Sequence, residues 1–397
     1  AGMSLRTNNE LRYHWNDNGY NFSSGLLLPD NQWSHVALVV TPTGVTLYLN
    51  GKAATNEGAQ PLEAFDAPIQ VGYDNGSRYF KGLVDEVCVY ERALTQEEVR
   101  TQMHLAKSHT DRTGLRTYYQ FDENQGLVLD RINTNHGSVA GNGARVRSTA
   151  PFGPGVAFLK TVNSGKRHTF GPTGLTLVFG AGATLPLGDL AATRLNIKPD
   201  TLSATTNGAP QYWILENFGT NQTFTAPTEI YFDHYGPLPA DLNARAIKLL
   251  RRIPNGDGLN WNLIDSADYV TAGFDASVIF KSSNQLKTAG QYYLSAPGVF
   301  SVNQAVASKP IVAERASVWA PEIQVYPNPV AVNGRCNISA NTDGLLRFRL
   351  FDSNGHAVKL LRFERNATLD LKDLKAGVYF YQIENEHFIK SGQLLIY

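Results

Sequence analysis

Cysteine is almost missing: 397 residues hold two, Cys88 and Cys336. So wide a separation argues against a disulfide framework, and each is expected to be a small buried hydrophobe. Long apolar runs are missing as well. No stretch reaches the roughly 20 residues that a bilayer-crossing helix needs. Neither charge is in excess, with 35 Lys plus Arg against 35 Asp plus Glu. That balance gives no electrostatic case for nucleic acid or an anionic lipid surface. No basic, apolar leader opens the chain at Ala1; for an exported protein, the signal peptide is expected upstream.

What is plentiful is glycine, at 35 residues, and proline, at 19, set among Tyr, Phe, Thr and Val. These break the apolar segments into short strands joined by turns, so an all-β chain of two to four domains is expected.

In the first segment, Val36, Leu38 and Val40 alternate, as do Val45, Leu47 and Leu49. Thr41-Pro42-Thr43-Gly44 between them is turn chemistry, which predicts a β-hairpin, and Asn50-Gly51 supplies the next turn. PIQVGYD (68–74) and FKGLVDEVCVYERAL (80–94) read as two further strands. A short helix then opens with Thr95 as N-cap and Glu98 at its third position, a capping box.

The order Trp33-Ser34-His35-Val36-Ala37, Leu47-Tyr48-Leu49-Asn50-Gly51, Phe80-Lys81-Gly82-Leu83-Val84-Asp85-Glu86-Val87 and Tyr90-Glu91-Arg92-Ala93-Leu94-Thr95 resembles laminin-G-like domains of the concanavalin type. The resemblance implies a jelly roll over 1–112 whose first strands are missing, so the chain is expected to be a fragment. Such folds also host glycosidases, whose retaining members need two carboxyl groups about 5–5.5 Å apart. Strand alternation puts Glu86, Cys88 and Tyr90 on one face, with Asp85, Val87 and Val89 on the other. One carboxylate on the cleft face is not a catalytic pair, and no catalytic residue is assigned.

Two readings stay open for Tyr13, Trp15, Asp17 and Tyr20. Aromatic faces interleaved with Asn16, Asn18 and Asn21 suit a shallow sugar site, whereas aromatics at this spacing are ordinarily core. Asp74 and Asp85 are the candidate metal ligands. Calcium takes six to eight oxygens and no motif here supplies them, so no cofactor is assigned and local hydrogen bonding is the expected role of Asp85-Glu86.

Residues 113–155 include LRTYYQFDENQG (115–126), which resembles the opening of another laminin-G-like unit; it is read as a hairpin closing the preceding sandwich. Across 156–300, LTLVFG, YWILENFG, TEIYFDHYG, AIKLLRRI, LNWNLID, SVIFKSS and QYYLSAPG alternate between turns. They predict an antiparallel sandwich, similar in a general way to immunoglobulin-like or fibronectin-like modules. No metalloprotease, nucleophile-elbow or phosphate-loop motif occurs there. Arg251 and Arg252 are expected at a solvated strand edge. Asp200-Thr201-Leu202 and Asp265-Ser266-Ala267 match a short O-glycosylation pattern, with Thr201 and Ser266 as acceptors.

After a linker over 301–321, residues 322–397 read as a small sandwich of about seven strands. Tyr326-Pro327-Asn328-Pro329, Leu350-Phe351-Asp352-Ser353-Asn354-Gly355, Leu369-Asp370-Leu371 and Leu374-Lys375-Ala376-Gly377-Val378-Tyr379 resemble the type A sorting domain of the type IX secretion system. That resemblance implies export to the surface of a Gram-negative bacterium, or secretion, with the secretion machinery as partner. Three functions follow from fold analogy: binding of a glycan or surface protein by the laminin-G-like unit, an accessory and export region for an upstream hydrolase, or a spacer in an adhesin.

Overall fold

The computed structural model describes residues 2–14, 21–57, 68–74, 78–107, 113–200, 208–233, 238, 242–258, 260–271, 276–281, 286–296, 323–341, 345–352, 357–384 and 389–397. Half of the described residues lie in strands and 4% in helix, so the chain is all-β. Two compact units form, one mainly from 1–152, the other mainly from 153–254 and the chain beyond 259.

The first unit opens with the sheet β1 (Gly2–Leu5), β2 (Glu10–His14) and β3 (Asn21–Leu27), followed by β4 (Val36–Thr41), β5 (Gly44–Leu49) and β6 (Lys52–Glu57). Thr41 pairs with Gly44 across the two-residue Pro42-Thr43 turn. Asn50 and Gly51 carry φ of 49° and 74°. Two consecutive left-handed residues make a turn whose twist matches the hairpin's, which is why Asn-Gly stands there. Leu11, Tyr13, Val45 and Leu47 form the core between the sheets, with Phe22, Leu38 and Val40 against them.

The strand expected over 68–74 shrinks to β7 (Tyr73–Asp74), paired with β8 (Arg78–Tyr79). Ile69 and Val71 lie outside it and are exposed. β9 (Val87–Tyr90) leads to α1 (Gln96–Gln102), and β10 (Leu115–Tyr119) returns to pair with β9. The capping box at α1 is complete: Thr95 Oγ1 accepts from the Glu98 N–H, and Glu98 reaches back to the Thr95 N–H.

In the second unit, β11 (Gly155–Thr161), β12 (Arg167–Thr169), β13 (Leu175–Val178), β14 (Asp189–Leu195) and β15 (Gly208–Asn217) come first. Then follow β16 (Glu229–Asp233), β17 (Lys248–Arg252), β18 (Asn262–Ser266), β19 (Tyr269–Val270), β20 (Ser277–Lys281) and β21 (Gly290–Ser295). They build two antiparallel sheets, ordered β11-β14-β15-β21-β17-β18 and β12-β13-β16-β20-β19. Trp213, Phe232, Phe280 and Tyr292 pack ring on ring as the core, Trp213 to Phe232 at 4.8 Å. The Trp213 indole donates to the Thr173 carbonyl at 2.7 Å, so its polar atom is buried with a partner.

One expectation fails here. β17 lies between β21 and β18, so Arg251 and Arg252 are on no sheet edge. Arg252 is 2% exposed. Its guanidinium bonds Asp200 at 2.5 Å and Gln291 at 2.8 Å and sits 4.4 Å from the Trp261 ring centroid. A carboxylate, an amide and an aromatic face together replace the lost water.

The C-terminal part of this unit comprises β22 (Ile323–Tyr326), β23 (Arg335–Ala340), β24 (Leu346–Phe351), β25 (Ala357–Phe363), β26 (Asn366–Asp370), β27 (Gly377–Glu384) and β28 (Ile389–Ile396). The sheets β22-β23-β26 and β25-β24-β27-β28 enclose Cys336, Ile338, Leu346, Phe348, Leu350, Ile383 and Leu394. Phe348 and Leu350 alternate inward as their period-two spacing requires. Cys88 and Cys336 are both free.

Candidate functional site

Tyr13 is 1% exposed within the first unit's core, so the core reading holds for it and its ring offers no face to a ligand. Trp15, Asp17 and Tyr20 lie outside the described residues. Asp74 pairs in register with Arg78, and Asp85 is half-buried just ahead of β9. Among the described residues, no three His, Cys, Asp or Glu side chains gather as a metal site.

The face of Glu86, Cys88 and Tyr90 is chemically quiet. Glu86 has a left-handed backbone, φ 58°, and its carboxylate accepts a hydrogen bond from the Tyr118 hydroxyl. Tyr118 is reached because it pairs with Cys88 across the β9–β10 ladder. Burial pushes the Tyr118 hydroxyl well above its ordinary range, and the Glu86 charge adds to the effect. Burial likewise pushes the Cys88 thiol up to about 12, only partly offset by Lys107. Tyr90 donates to the Gln102 side chain at 3.2 Å. With its pKa raised to about 12, the Cys88 thiol stays protonated at neutral pH and is no thiolate nucleophile.

The C-terminal sandwich carries the sharper geometry. Pro327 and Pro329 have no N–H, so neither can donate to a neighbouring strand. The Asn328 side chain takes over. Its Nδ2 donates to the Gln393 carbonyl at 2.7 Å, and its Oδ1 accepts from the Leu395 N–H at 3.0 Å. Backbone bonds follow at once: the Val330 N–H donates to Leu395 at 2.9 Å and the Tyr397 N–H donates to Val330 at 3.0 Å. The peptide bonds Tyr326-Pro327 and Asn328-Pro329 are cis. Lys390 Nζ then donates to the Ile323 carbonyl at 2.6 Å. The entry segment and the last strand are thus joined at both ends, through Lys390 and Ile323 at one and through Asn328 and Val330 at the other.

Gly377 opens β27 opposite Ile396, while Gly355 lies outside the described residues. In the core, burial raises the Cys336 thiol to about 11. Of the two glycosylation candidates, Thr201 falls outside the described residues, and Ser266 Oγ accepts from Lys248 Nζ at 2.8 Å on β18.

Two stretches of the chain match known families. Residues 324–397 match the secretion system C-terminal sorting domain. The chain ends in a type IX sorting domain. Residues 1–100 match the concanavalin A-like lectin/glucanases superfamily, in its laminin-G-like form. Together the two matches are those of a secreted or cell-surface protein of the Bacteroidetes type, and the sorting domain implies contact with the type IX machinery. No helix among the described residues is long and apolar enough to cross a membrane.

Two solved structures are similar. A β-glucuronidase of Faecalibacterium prausnitzii shares 10% identity over 60% of this chain and 46% of its own, with a TM-score of 0.17. The extracellular domain of a hybrid two-component system from B. thetaiotaomicron shares 12% over 97% and 47%, with a TM-score of 0.15. The chain spans under half the length of either, and superpositions this loose carry nothing about function.

The buried cluster of Arg194, Arg349 and Glu384 escapes sequence reading. Arg194 lies in the Asp-Leu-Ala-Ala-Thr-Arg-Leu strand, which lacks aliphatic alternation, and nothing local marks its charge as buried.

Proposed function

We propose that the laminin-G-like unit is a non-catalytic binding module for a glycan or a surface protein, delivered outside the cell by the sorting domain. The observation that carries this reading is the engagement of Glu86 by Tyr118. A retaining glycosidase needs a second carboxyl group about 5–5.5 Å from the first. Two residues on stands Cys88, its thiol pushed to about 12, and two further on stands Tyr90. Neither supplies the missing acid.

The test is a pair of assays on the secreted full chain. A glycan array, run with and without calcium, is expected to show retained ligands. A panel of polysaccharides incubated with the same chain is expected to release no reducing ends. Hydrolysis abolished by Glu86→Gln would overturn the reading.

A further inference from the structure

Glu384 lies on the last residue of β27, in the sorting domain, and its side chain is only 7% exposed. Three guanidinium groups converge on it. Arg349 Nη2 bonds Oε1 at 3.1 Å, and Arg347 Nε lies 3.5 Å from the same oxygen. Both belong to the neighbouring strand β24. The third, Arg194 Nη2 at 3.5 Å from Oε2, comes from β14 of the middle sandwich, 190 positions earlier. Arg194 is fully buried, and its Nε also bonds the Asn196 side chain at 3.2 Å.

An aromatic contact joins the same two sandwiches. Phe158 on β11 meets Phe380 on β27 edge to face, with ring centroids 6.3 Å apart at 90°. Lys160, also on β11, is held below its ordinary range by burial, and the Asp352 carboxylate of the sorting domain opposes that shift. Phe380, Gln382 and Glu384 share one face of β27, the face opposite the core residues Tyr379 and Ile383.

The geometry points to a docking site: the face of β11 and β14 is a receptor for the sorting domain's β27 face and holds it without help from the connecting chain. Buried charge of this kind adds orientation more than raw affinity, because a misplaced partner leaves an uncompensated ion. While docked, the β27 face of Phe380, Gln382 and Glu384 is covered.

The experiment uses the full chain with a site-specific protease sequence placed within 301–321. After complete cleavage at about 0.1 M salt, the two pieces are expected to co-elute on gel filtration as one species of the uncut size. Separation of the wild-type pieces would overturn the proposal. Arg194→Glu is expected to weaken the association roughly tenfold or more, so that its pieces separate on dilution. Phe158→Ala gives an independent check from the aromatic side, and circular dichroism of each piece confirms that it stays folded. Co-elution unchanged in both variants would refute this face as the docking site.

Discussion

Asn328 and Leu395, 67 positions apart, are joined by a hydrogen bond of 3.0 Å from the Leu395 N–H to the Asn328 side-chain oxygen. The same amide donates to Gln393 at 2.7 Å. The side chain thus adds two bonds beside prolines that cannot donate, extending the pairing of β28 into the domain's entry.

Replacing Asn328 tests that stitch. Asn328→Ala loses both bonds and is expected to cost about 1–2 kcal/mol of stability, at about 1 kcal/mol each. Asn328→Asp keeps the acceptor for Leu395 but sets a carboxylate oxygen against the Gln393 carbonyl, so a cost at least as large as that of Asn328→Ala is expected. Urea unfolding of both variants against wild type checks the order.

At Arg252 the expectation is larger. Removing one member of a buried, hydrogen-bonded ion pair leaves the other uncompensated, at about 3–5 kcal/mol. Arg252→Ala strands Asp200 and empties the space beneath Trp261. Thermal unfolding should show a drop far beyond that of Arg245→Ala, whose partner Asp268 is bound by an exposed guanidinium. Equal effects would mean that Arg252 is not the buried anchor described above.

Acid should loosen the first unit through His35. Burial, with the Lys107 and His104 charges adding, lowers this imidazole from 6.5 to about 3. The folded state therefore favours the neutral ring. Its contribution is complete above pH 6.5 and is lost as pH falls from there toward 3. Melting temperatures between pH 8 and 4 should decline through this window, and more steeply in wild type than in His35→Gln.

A second acid-sensitive group is Glu98, held down to about 2 by hydrogen bonds from Arg92, with the Thr95 N–H adding. A depressed carboxylate stabilises above its unfolded value near 4.5, and that stabilisation fades as pH falls toward 2. Thr95→Ala removes the other half of the capping box and is expected to cost about 1 kcal/mol. Denaturant unfolding at pH 7 measures it.

How far the sequence disclosed these features depended on their range. The Val36–Leu49 hairpin, the Asn50-Gly51 turn and the Thr95–Glu98 cap are set by neighbours within a few residues, and the structure has them at the expected places. Most strands of the middle sandwich were legible from alternation as well. β14 was not, because Ala191-Ala192-Thr193-Arg194 shows no apolar period. Arg252 reads as a surface residue until Asp200, Gln291 and Trp261 are brought around it by the fold. Tyr13 could serve core or ligand equally by spacing, and only the packing of Leu11, Val45 and Leu47 assigns it inward. Asn328 stood within a quoted motif, but its reach to Gln393 and Leu395 depends on pairing across the whole domain.

The most direct test of the whole account is export. The full chain, the chain lacking 324–397 and the Asn328→Ala variant, each behind the same signal peptide, would be expressed in a bacterium with an active type IX system, and surface and culture fluid quantified. Full chain outside, the truncated form retained in the periplasm and Asn328→Ala reduced between them is the predicted result. Normal appearance of the truncated chain outside the cell would contradict the account.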